Sequence, residues 1–223
     1  VRDKISSILT VQNDLASNSI RCIAEDEQGN YYIGTSDALS IVTISNGLKV
    51  RKTLQEIMYA RSIAIGKAGD VAVVNNSGQL FIINNQMIKE TFTLKTGNAE
   101  TFYTCCKYMD NGDLLVGTTT NEMYRLRKTN GKYRTIKRYT TGNLQQISSI
   151  ASDDQGNYWV CSGSGIGYLQ REKFHTFDTN TFNSSIDNMT MDYQGNLWFT
   201  SSRLGLLKLS KTCFTDLFRQ YSL

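Results

Sequence analysis

The stretch "DYQGNLWFTSSRLGLLKL", residues 192–209, predicts short β-strands joined by tight turns. Gly195 and Asn196 stand where a tight hairpin needs a residue of positive φ, which glycine adopts without steric cost. Aromatic and aliphatic residues dominate the run that follows the turn. Close copies of this stretch occur elsewhere in the chain, so we interpret it as one unit of a repeat.

Five glycines, each followed by Asn or Asp, mark five copies of the pattern: Gly29, Gly69, Gly112, Gly156 and Gly195. They are separated by 40, 43, 44 and 39 residues, and self-similarity at such a period is typical of repeat architectures. An alternating run precedes each glycine, as in "SIRCIA" (19–24), and an aromatic or β-branched run follows it, as in "NYYIGT" (30–35). A small-residue loop and two further strand-like runs complete the unit. Four short strands in about 42 residues correspond to one β-propeller blade.

The predicted fold is therefore all-β, a β-propeller of four-stranded antiparallel blades with about five blades in this chain. The predicted blades are residues 19–59, 60–100, 101–146, 147–185 and 186–223. Residues 1–18 are predicted to be the last strand of a preceding blade plus a connector, and "CFTDLFRQ" (213–220) the fourth strand of the last blade. Because both ends carry a predicted strand, these blades are expected to belong to a larger propeller, with a closed ring of five as the alternative.

Two repeated positions have predicted structural roles. A large side chain stands three residues after the glycine in four copies, namely Tyr32, Leu115, Trp159 and Trp198, with Ala72 as the exception. We expect it to pack against the next blade, because one blade cannot bury its own faces. An aspartate stands three residues before the glycine in three copies, at Asp26, Asp153 and Asp192, and we expect it to cap the turn.

Three segments, "SIRCIAEDEQGNYYIGTSDAL" (19–39), "ISSIASDDQGNYWVCSGSGIGYL" (147–169) and "IDNMTMDYQGNLWFTSSRLGLLKL" (186–209), resemble the two-component regulator propeller repeat. The resemblance is weaker at 60–100 and intermediate at 101–146. It implies a non-enzymatic sensor region of a bacterial hybrid histidine kinase or diguanylate cyclase receptor, on the periplasmic or extracellular side of the cytoplasmic membrane. It also implies a ligand, often a glycan fragment in this family. Membrane attachment would come from segments flanking this chain.

Composition and charge exclude several other classes of protein. Hydrophobic residues make up 40%, charged residues 20%, and the mean hydropathy is −0.34, as in a globular domain; no apolar run approaches the ~20 residues of a membrane span. The net charge is only +4, and the basic residues cluster on one predicted hairpin, "MYRLRKTNGKYRTIKRY" (123–139). We interpret this cluster as a solvated sheet edge. We expect no nucleic-acid partner, because such sites spread charge over a face or groove with stacking aromatics.

No catalytic, metal or cofactor motif stands out, so we expect no enzyme, no metal and no cofactor. His175 is the only histidine, is predicted to be half-exposed on an outer strand, and cannot form a multi-histidine metal site alone. The five cysteines are odd in number and irregularly spaced, which favours free, mostly buried thiols. "GSGIG" (163–167) has the wrong glycine spacing for a dinucleotide loop. An enzyme is the weaker alternative, and it would be favoured by His175 beside a carboxylate in the channel mouth.

A ligand would be expected at one mouth of the central channel, where loops from every blade converge. The candidate ligand-binding residues lie in the loops after the second strands or at the starts of the inner strands: Arg21, Asp37, Tyr59, Arg61, Asn76, Tyr103, Asp187 and Arg203. Such side chains suit a polar ligand with hydroxyl or carboxylate groups, such as a carbohydrate. The alternative is a protein-interaction or dimerisation propeller without its own small-molecule ligand. A homodimer of the receptor is compatible with either function.

Overall fold

The computed structural model describes residues 7–44, 47–67, 69–94 and 101–210, and its strands form five antiparallel sheets that follow one another along the chain. Blade 1 contains β1 (Ile20–Glu25), β2 (Asn30–Thr35), β3 (Leu39–Ile44) and β4 (Leu48–Leu54). Blade 2 contains β5 (Ala60–Ile65), β6 (Val71–Asn75), β7 (Gln79–Asn84) and β8 (Met87–Thr93). Blade 3 contains β9 (Tyr103–Tyr108), β10 (Leu114–Thr118), β11 (Glu122–Thr129) and β12 (Lys132–Thr140). Blade 4 contains β13 (Ile147–Ser152), β14 (Tyr158–Ser162), β15 (Gly165–Gln170) and β16 (Lys173–Phe177), and blade 5 contains β17 (Ile186–Met191), β18 (Leu197–Ser201) and β19 (Gly205–Leu209).

This arrangement confirms the predicted all-β propeller of four-stranded antiparallel blades. Blade 5 has three strands within the described ranges, because the fourth strand predicted at 213–220 lies outside them. Residues 7–18 contain a short 3-10 helix (Val11–Asn13) and no strand, and residues 1–6 also lie outside the described ranges.

The first strand of each blade forms its inner edge. β1 packs against β5, β5 against β9, β9 against β13 and β13 against β17. No comparable packing joins β17 to β1 in the described part of the chain. The blades therefore follow one another about a common axis, and each shared face is a blade–blade interface.

The turn geometry that recurs in the repeats comes from glycine and aspartate together. Gly156 has a φ of 78°, the left-handed conformation that the turn requires. Asp153 Oδ1 accepts hydrogen bonds from the backbone N–H groups of Gln155 and Asn157, both at 2.9 Å. Its Oδ2 accepts the indole N–H of Trp159 at 2.9 Å. Asp26 and Asp192 make the same backbone bonds, so the predicted capping role is confirmed.

At Tyr32, Leu115 and Trp159 the large residue three positions after the glycine packs against the next blade, as predicted, and no described blade follows Trp198. Trp159 lies in a buried cluster with Ile186 and Phe199 of blade 5, and its ring meets that of Phe199 edge-to-face at 5.5 Å. Tyr32 lies in the corresponding cluster with Val71 and other apolar residues of blade 2. These clusters supply the hydrophobic contact that joins successive blades.

The Gly-Thr pair at the end of the second strand has two separate roles. A Cβ on Gly34 would lie 2.6 Å from Cβ of Ala60, so only glycine lets the two blades approach this closely. The Thr35 hydroxyl donates to the carbonyl of Ala38 at 2.8 Å and accepts from the N–H of Asp37, which closes the loop to the third strand. Gly34 therefore allows close packing between two blades, and Thr35 fixes the adjoining loop at the channel mouth.

The interpretation of the basic hairpin as a solvated edge is wrong for several of its residues. Arg125 is only 7% exposed and forms ion pairs with Asp113 of its own blade and Glu172 of blade 4. Lys128 Nζ lies 2.7 Å from a carboxylate oxygen of Asp70 in blade 2. Much of the cluster therefore links blade 3 to both of its neighbours.

Candidate functional site

The channel mouth is bordered by a belt of backbone hydrogen bonds that passes from blade to blade. On one side the Tyr59 N–H donates to the Ser36 carbonyl at 3.1 Å, and the Asn76 N–H donates to the Tyr59 carbonyl at 2.9 Å. Each bond joins a loop after a second strand to the residue that precedes an inner strand. Because these loops bond to one another, the mouth has a fixed backbone rim.

The belt continues through blades 3, 4 and 5. The Gln146 N–H donates to the Thr119 carbonyl at 3.2 Å, the Gly163 N–H to the Gln146 carbonyl at 3.1 Å, and the Ser185 N–H to the Gly163 carbonyl at 3.0 Å. The same alternation of loop and connector therefore recurs around the mouth.

Three residues of the belt have left-handed backbone conformations, each directly before an inner strand. Tyr59, Gln146 and Ser185 have φ values of 50°, 56° and 50°. This conformation costs a non-glycine residue about 1–2 kcal/mol. Its recurrence at one repeat position shows that the rim hydrogen bonds and the packing of the inner strands outweigh that cost.

Each inner strand then has a β-bulge at its second residue. The five residues at this position are Arg21, Arg61, Thr104, Ser148 and Asp187. A bulge leaves the extra residue without a cross-strand partner and changes the direction of its side chain. We call this set the bulge ring; it carries two cations at blades 1 and 2, hydroxyls at blades 3 and 4, and a carboxylate at blade 5.

A cavity of about 360 Å³ opens at this mouth. Four members of the bulge ring line it, Arg61, Thr104, Ser148 and Asp187. Other lining residues include Phe102, Gln146 and Ser202. The volume falls within the range of small-ligand sites, about 300–1,000 Å³.

The cavity offers a free cation on one side and a fixed carboxylate on the other. Arg61 is exposed and makes no ion pair or side-chain hydrogen bond with any residue that the structure describes. Asp187 Oδ2 accepts the backbone N–H of Ser202 at 2.7 Å, which orients the carboxylate and leaves acceptor positions on it. The Ser148 hydroxyl donates to the Ile186 carbonyl at 2.5 Å. Such a set can bind anionic groups through Arg61 and hydroxyl donors through Asp187.

The structure brings together only some of the predicted site residues. Arg61 and Asp187 line the cavity, whereas Arg21 lies with its guanidinium 5.6 Å from the ring of Tyr59. Asn76 belongs to the belt through its backbone.

The other predicted residues lie elsewhere. Asp37 and Arg203 are exposed in loops, and their backbone N–H groups donate to the hydroxyls of Thr35 and Ser201. Tyr103 is buried in the core with its ring edge-to-face against Tyr124, so it does not offer its ring to the mouth.

The lining residues that sequence reasoning missed include Phe102, Thr104, Gln146, Ser148 and Ser185. These residues have a common position in the repeat: each stands either directly before an inner strand or at the second residue of that strand. A repeat alignment centred on that position could have found them.

The lone histidine lies away from this cavity. His175 is exposed on β16 and stacks on the ring of Tyr168, with centroids 5.2 Å apart. No acidic side chain pairs with it among the residues described. It therefore lacks the carboxylate partner in the mouth that would favour an enzyme.

The cysteines of the described ranges are free, and three of them are buried. Burial raises the pKa values of Cys105, Cys106 and Cys161 to about 12, so their thiols stay protonated at neutral pH. Cys213 lies outside the described ranges.

Two further features are missing from the described residues. No cluster of three or more potential metal ligands occurs among them. They also include no helix long and apolar enough to cross a membrane.

Solved structures with this fold include extracellular domains from Bacteroides thetaiotaomicron. The domain of BT3049, assigned as a hybrid two component system, is 20% identical with a TM-score of 0.71 over 92% of this chain and 29% of that chain. The corresponding domain of BT4673 is 16% identical with a TM-score of 0.68, over 88% of this chain and 26% of that one. The present chain thus spans less than a third of either domain. At these identities the likeness establishes the fold.

The same fold also occurs in an enzyme. Virginiamycin B lyase from Staphylococcus aureus is 16% identical with a TM-score of 0.67, over 89% of this chain and 71% of that one. That structure is of a catalytically inactive variant with a histidine replaced by alanine, bound to quinupristin. Extracellular domains of two component systems and a lyase therefore share this architecture.

Sequence comparison gives a more specific result. No protein of curated function matches the chain significantly. The profile of the family "Two component regulator propeller" matches residues 14–37, which contain β1, the Gly29 turn and β2. That match covers the first of the five repeats, and this segment is therefore similar to the repeat of that family.

Proposed function

We propose that this chain is a ligand-sensing propeller module of a bacterial membrane signalling receptor, located outside the cytoplasm. The family match and the extracellular domains that share its fold support this placement. The module binds a polar small ligand at the channel mouth, and binding, without turnover, is its contribution to signalling.

The bulge ring is the observation that carries this proposal. Arg61 and Asp187 stand in one cavity with opposite charges, and neither forms an ion pair with a described residue. Unpaired charges at the mouth of a rigid scaffold are typical of recognition sites. In a glycan fragment that carries a carboxylate, this carboxylate would bind Arg61. The hydroxyl groups of the sugar would bind Asp187, Thr104 and Ser148.

A non-catalytic role is supported by the same residues. Acid–base catalysis uses a titratable group held against the reacting atoms, often a histidine or a pair of carboxylates. Among the described residues that line the cavity, Asp187 carries the one carboxylate, and His175 lies on an outer strand.

The proposal is tested by differential scanning fluorimetry with neutral and uronic-acid oligosaccharides on the wild type, Arg61→Ala and Arg134→Ala. Arg134 is an exposed arginine of the β12 hairpin and serves as the matched control. A ligand present at a hundred times its dissociation constant stabilises the fold by about 2.7 kcal/mol, which raises the Tm by several degrees. We expect uronic-acid oligosaccharides to raise the Tm of the wild type and Arg134→Ala, and to have little effect on Arg61→Ala. A flat response of the wild type to both sugar classes, or an equal response of Arg61→Ala, would refute the proposal.

A further inference from the structure

A cavity of about 580 Å³ lies at the end of the propeller opposite the mouth. It opens between the turn that joins β1 to β2 in blade 1 and the hairpin that joins β7 to β8 in blade 2. Inner strands begin at the mouth and end at these turns, so this cavity, which we call the turn-side groove, is separate from the site at the mouth. Its volume falls within the range of small-ligand sites, and all eight strands of its two blades are described.

The groove is open because two side chains differ from their equivalents at the interface of blades 3 and 4. There the hairpin residue Glu172 has a left-handed φ of 70° and pairs with Arg125 of the preceding blade. Gln86 is the equivalent hairpin residue in blade 2, with a φ of 58°, and Ile41 of blade 1 stands in the register of Arg125. An amide and an aliphatic side chain cannot form that ion pair, so blades 1 and 2 leave this space open.

Amide side chains dominate the lining of the groove. Five of its residues carry an amide: Gln28, Asn30, Asn84, Asn85 and Gln86. The side-chain amides of Gln28, Asn85 and Gln86 make no hydrogen bond with any residue that the structure describes. Each offers two N–H donors and an oxygen acceptor, so three complete amides in one cavity are available to a ligand.

Asn30 adds a half-buried acceptor that the fold leaves without a donor. Its Nδ2 donates to Asp26 Oδ2 at 2.8 Å, as the Nδ2 of Asn157 does to Asp153 in blade 4. The Oδ1 of Asn157 accepts the side-chain N–H of Gln170 at 2.9 Å. No described residue donates to the Oδ1 of Asn30, although a polar group shielded from water normally has a partner. A ligand hydroxyl would supply that donor.

The charged side chains of the groove favour a ligand without net charge. The carboxylate of Asp26 accepts four hydrogen bonds from its own turn and the following strand, which satisfy it within the fold. The ammonium of Lys67 donates to the carbonyl of Asp110 in blade 3 at 3.1 Å. The exposed carboxylate of Glu27 would repel an anionic group. The groove thus differs from the mouth, where the guanidinium of Arg61 attracts such a group.

We propose that the turn-side groove binds an uncharged oligosaccharide. Each hydroxyl of a sugar donates and accepts, so two adjacent hydroxyls can pair with the N–H and the oxygen of one amide. An extended peptide fits the lining less well, because its side chains need apolar or charged pockets and Ile65 is the single aliphatic side chain among the described lining residues. This site is independent of the ligand proposed for the mouth.

The test is isothermal titration calorimetry with cellotetraose, maltotetraose, xylotetraose and mannotetraose on the wild type, Gln28→Ala, Gln86→Ala, the double variant and Gln194→Ala. Gln194 stands at the same turn position in blade 5, outside the groove, and serves as the matched control. We expect at least one of these sugars to bind the wild type and Gln194→Ala with equal affinity. Loss of an amide hydrogen bond should raise the Kd about fivefold in each single variant and about twentyfold in the double variant. Because neither amide bonds to a described residue, the variants should keep the wild-type Tm.

Arg61→Ala separates this site from the mouth. It should bind the neutral tetrasaccharide as the wild type does, and the double variant should keep the Tm increase that uronic-acid oligosaccharides produce. A failure of the function proposed for the mouth would leave the binding of neutral sugars intact. Binding of none of the four sugars, wild-type affinity in the double variant, or weakened binding of the neutral sugar by Arg61→Ala would each overturn the proposal.

Discussion

At the scale of single residues, every repeat has a bonded carboxylate at its turn, but the carboxylate stands at one of two positions. In blades 1, 4 and 5 the carboxylate precedes the glycine and caps the turn. In blades 2 and 3 it follows the glycine, as Asp70 and Asp113, and reaches cationic or phenolic partners instead. Asp70 accepts from Lys128 at 2.7 Å and from the Tyr133 hydroxyl at 2.8 Å, both in blade 3. At Asp70 the shifted carboxylate thus forms blade–blade bonds, whereas Asp113 pairs with Arg125 and Arg127 of its own blade.

Replacing the capping aspartate tests its role. Asp153→Ala leaves two backbone N–H groups and the Trp159 indole N–H without their acceptor. Bonds to a charged group are worth about 1.5–3 kcal/mol, so we expect a loss of about 2 kcal/mol in the free energy of unfolding. Urea denaturation measures this loss in the free energy of unfolding. Gln155→Ala, which changes an exposed side chain in the same turn, is the control. Equal stability of the two variants would contradict the capping role.

At the scale of elements, two backbone features position the strands. The bulge at the second residue of each inner strand turns a side chain toward the mouth, and a glycine near the end of the second strand permits close contact between blades. Gly117 repeats the role of Gly34, since a Cβ there would lie 2.6 Å from Cγ2 of Ile147 in blade 4. Blade spacing thus depends on the absence of a side chain at these positions.

The close approach at Gly34 predicts a coupled pair. In Gly34→Ala the new methyl group would overlap Cβ of Ala60 and Sγ of Cys22, each 2.6 Å away, and overpacking of this kind costs about 1–3 kcal/mol. Ala60→Gly removes the first of these two contacts, so Gly34→Ala should cost at least about 0.5 kcal/mol less in that background. A double-mutant cycle, with the free energies of unfolding measured by urea denaturation, gives the coupling energy between positions 34 and 60. Additive losses would show that the two residues do not limit the blade spacing.

At the scale of the whole molecule, ion pairs bind blade 3 to blades 2 and 4 on its two sides. Bonds from Arg127 and Arg125 hold the pKa of Asp113 below its usual range, although burial acts to raise it. Glu172 of blade 4 accepts from Lys137 at 2.8 Å and from the Tyr139 hydroxyl at 2.7 Å, and it also pairs with Arg125. These partners lower its pKa to about 2.

This shift predicts acid sensitivity at the interface of blades 3 and 4. Glutamate in an unfolded chain has a pKa of about 4.3, so between about pH 4.3 and 2 the unfolded state binds more protons. The stabilisation by Glu172 is therefore complete above that range and is lost as the pH falls toward 2. Because its side chain is 46% exposed, we expect a loss of at most about 1 kcal/mol. The midpoint of urea unfolding, measured at pH 7, 4 and 2.5, should fall less steeply with decreasing pH in Glu172→Gln than in the wild type. Parallel curves for the two proteins would show that Glu172 does not contribute to the acid sensitivity.

The sequence predicted the blades because every repeat carries its own turn glycine and most also carry a capping aspartate and a large interface residue, as Asp153, Gly156 and Trp159 show. It predicted the site less completely. Arg61 and Asp187 were found by their charge, but a bulge is a backbone feature that leaves no chemical signal at a residue as small as Ser148. The ion pairs were missed for another reason: Arg125 and Glu172 are 47 residues apart and meet only through the packing of two blades.

The account is tested most directly by a crystal structure of the chain with the uronic-acid oligosaccharide that raises its Tm most. We predict electron density for the sugar in the cavity at the mouth, with the carboxylate at hydrogen-bond distance from Arg61 and hydroxyl groups at Asp187. Density for the sugar at any other place, with the mouth cavity empty, would contradict the assignment of the bulge ring as the ligand site.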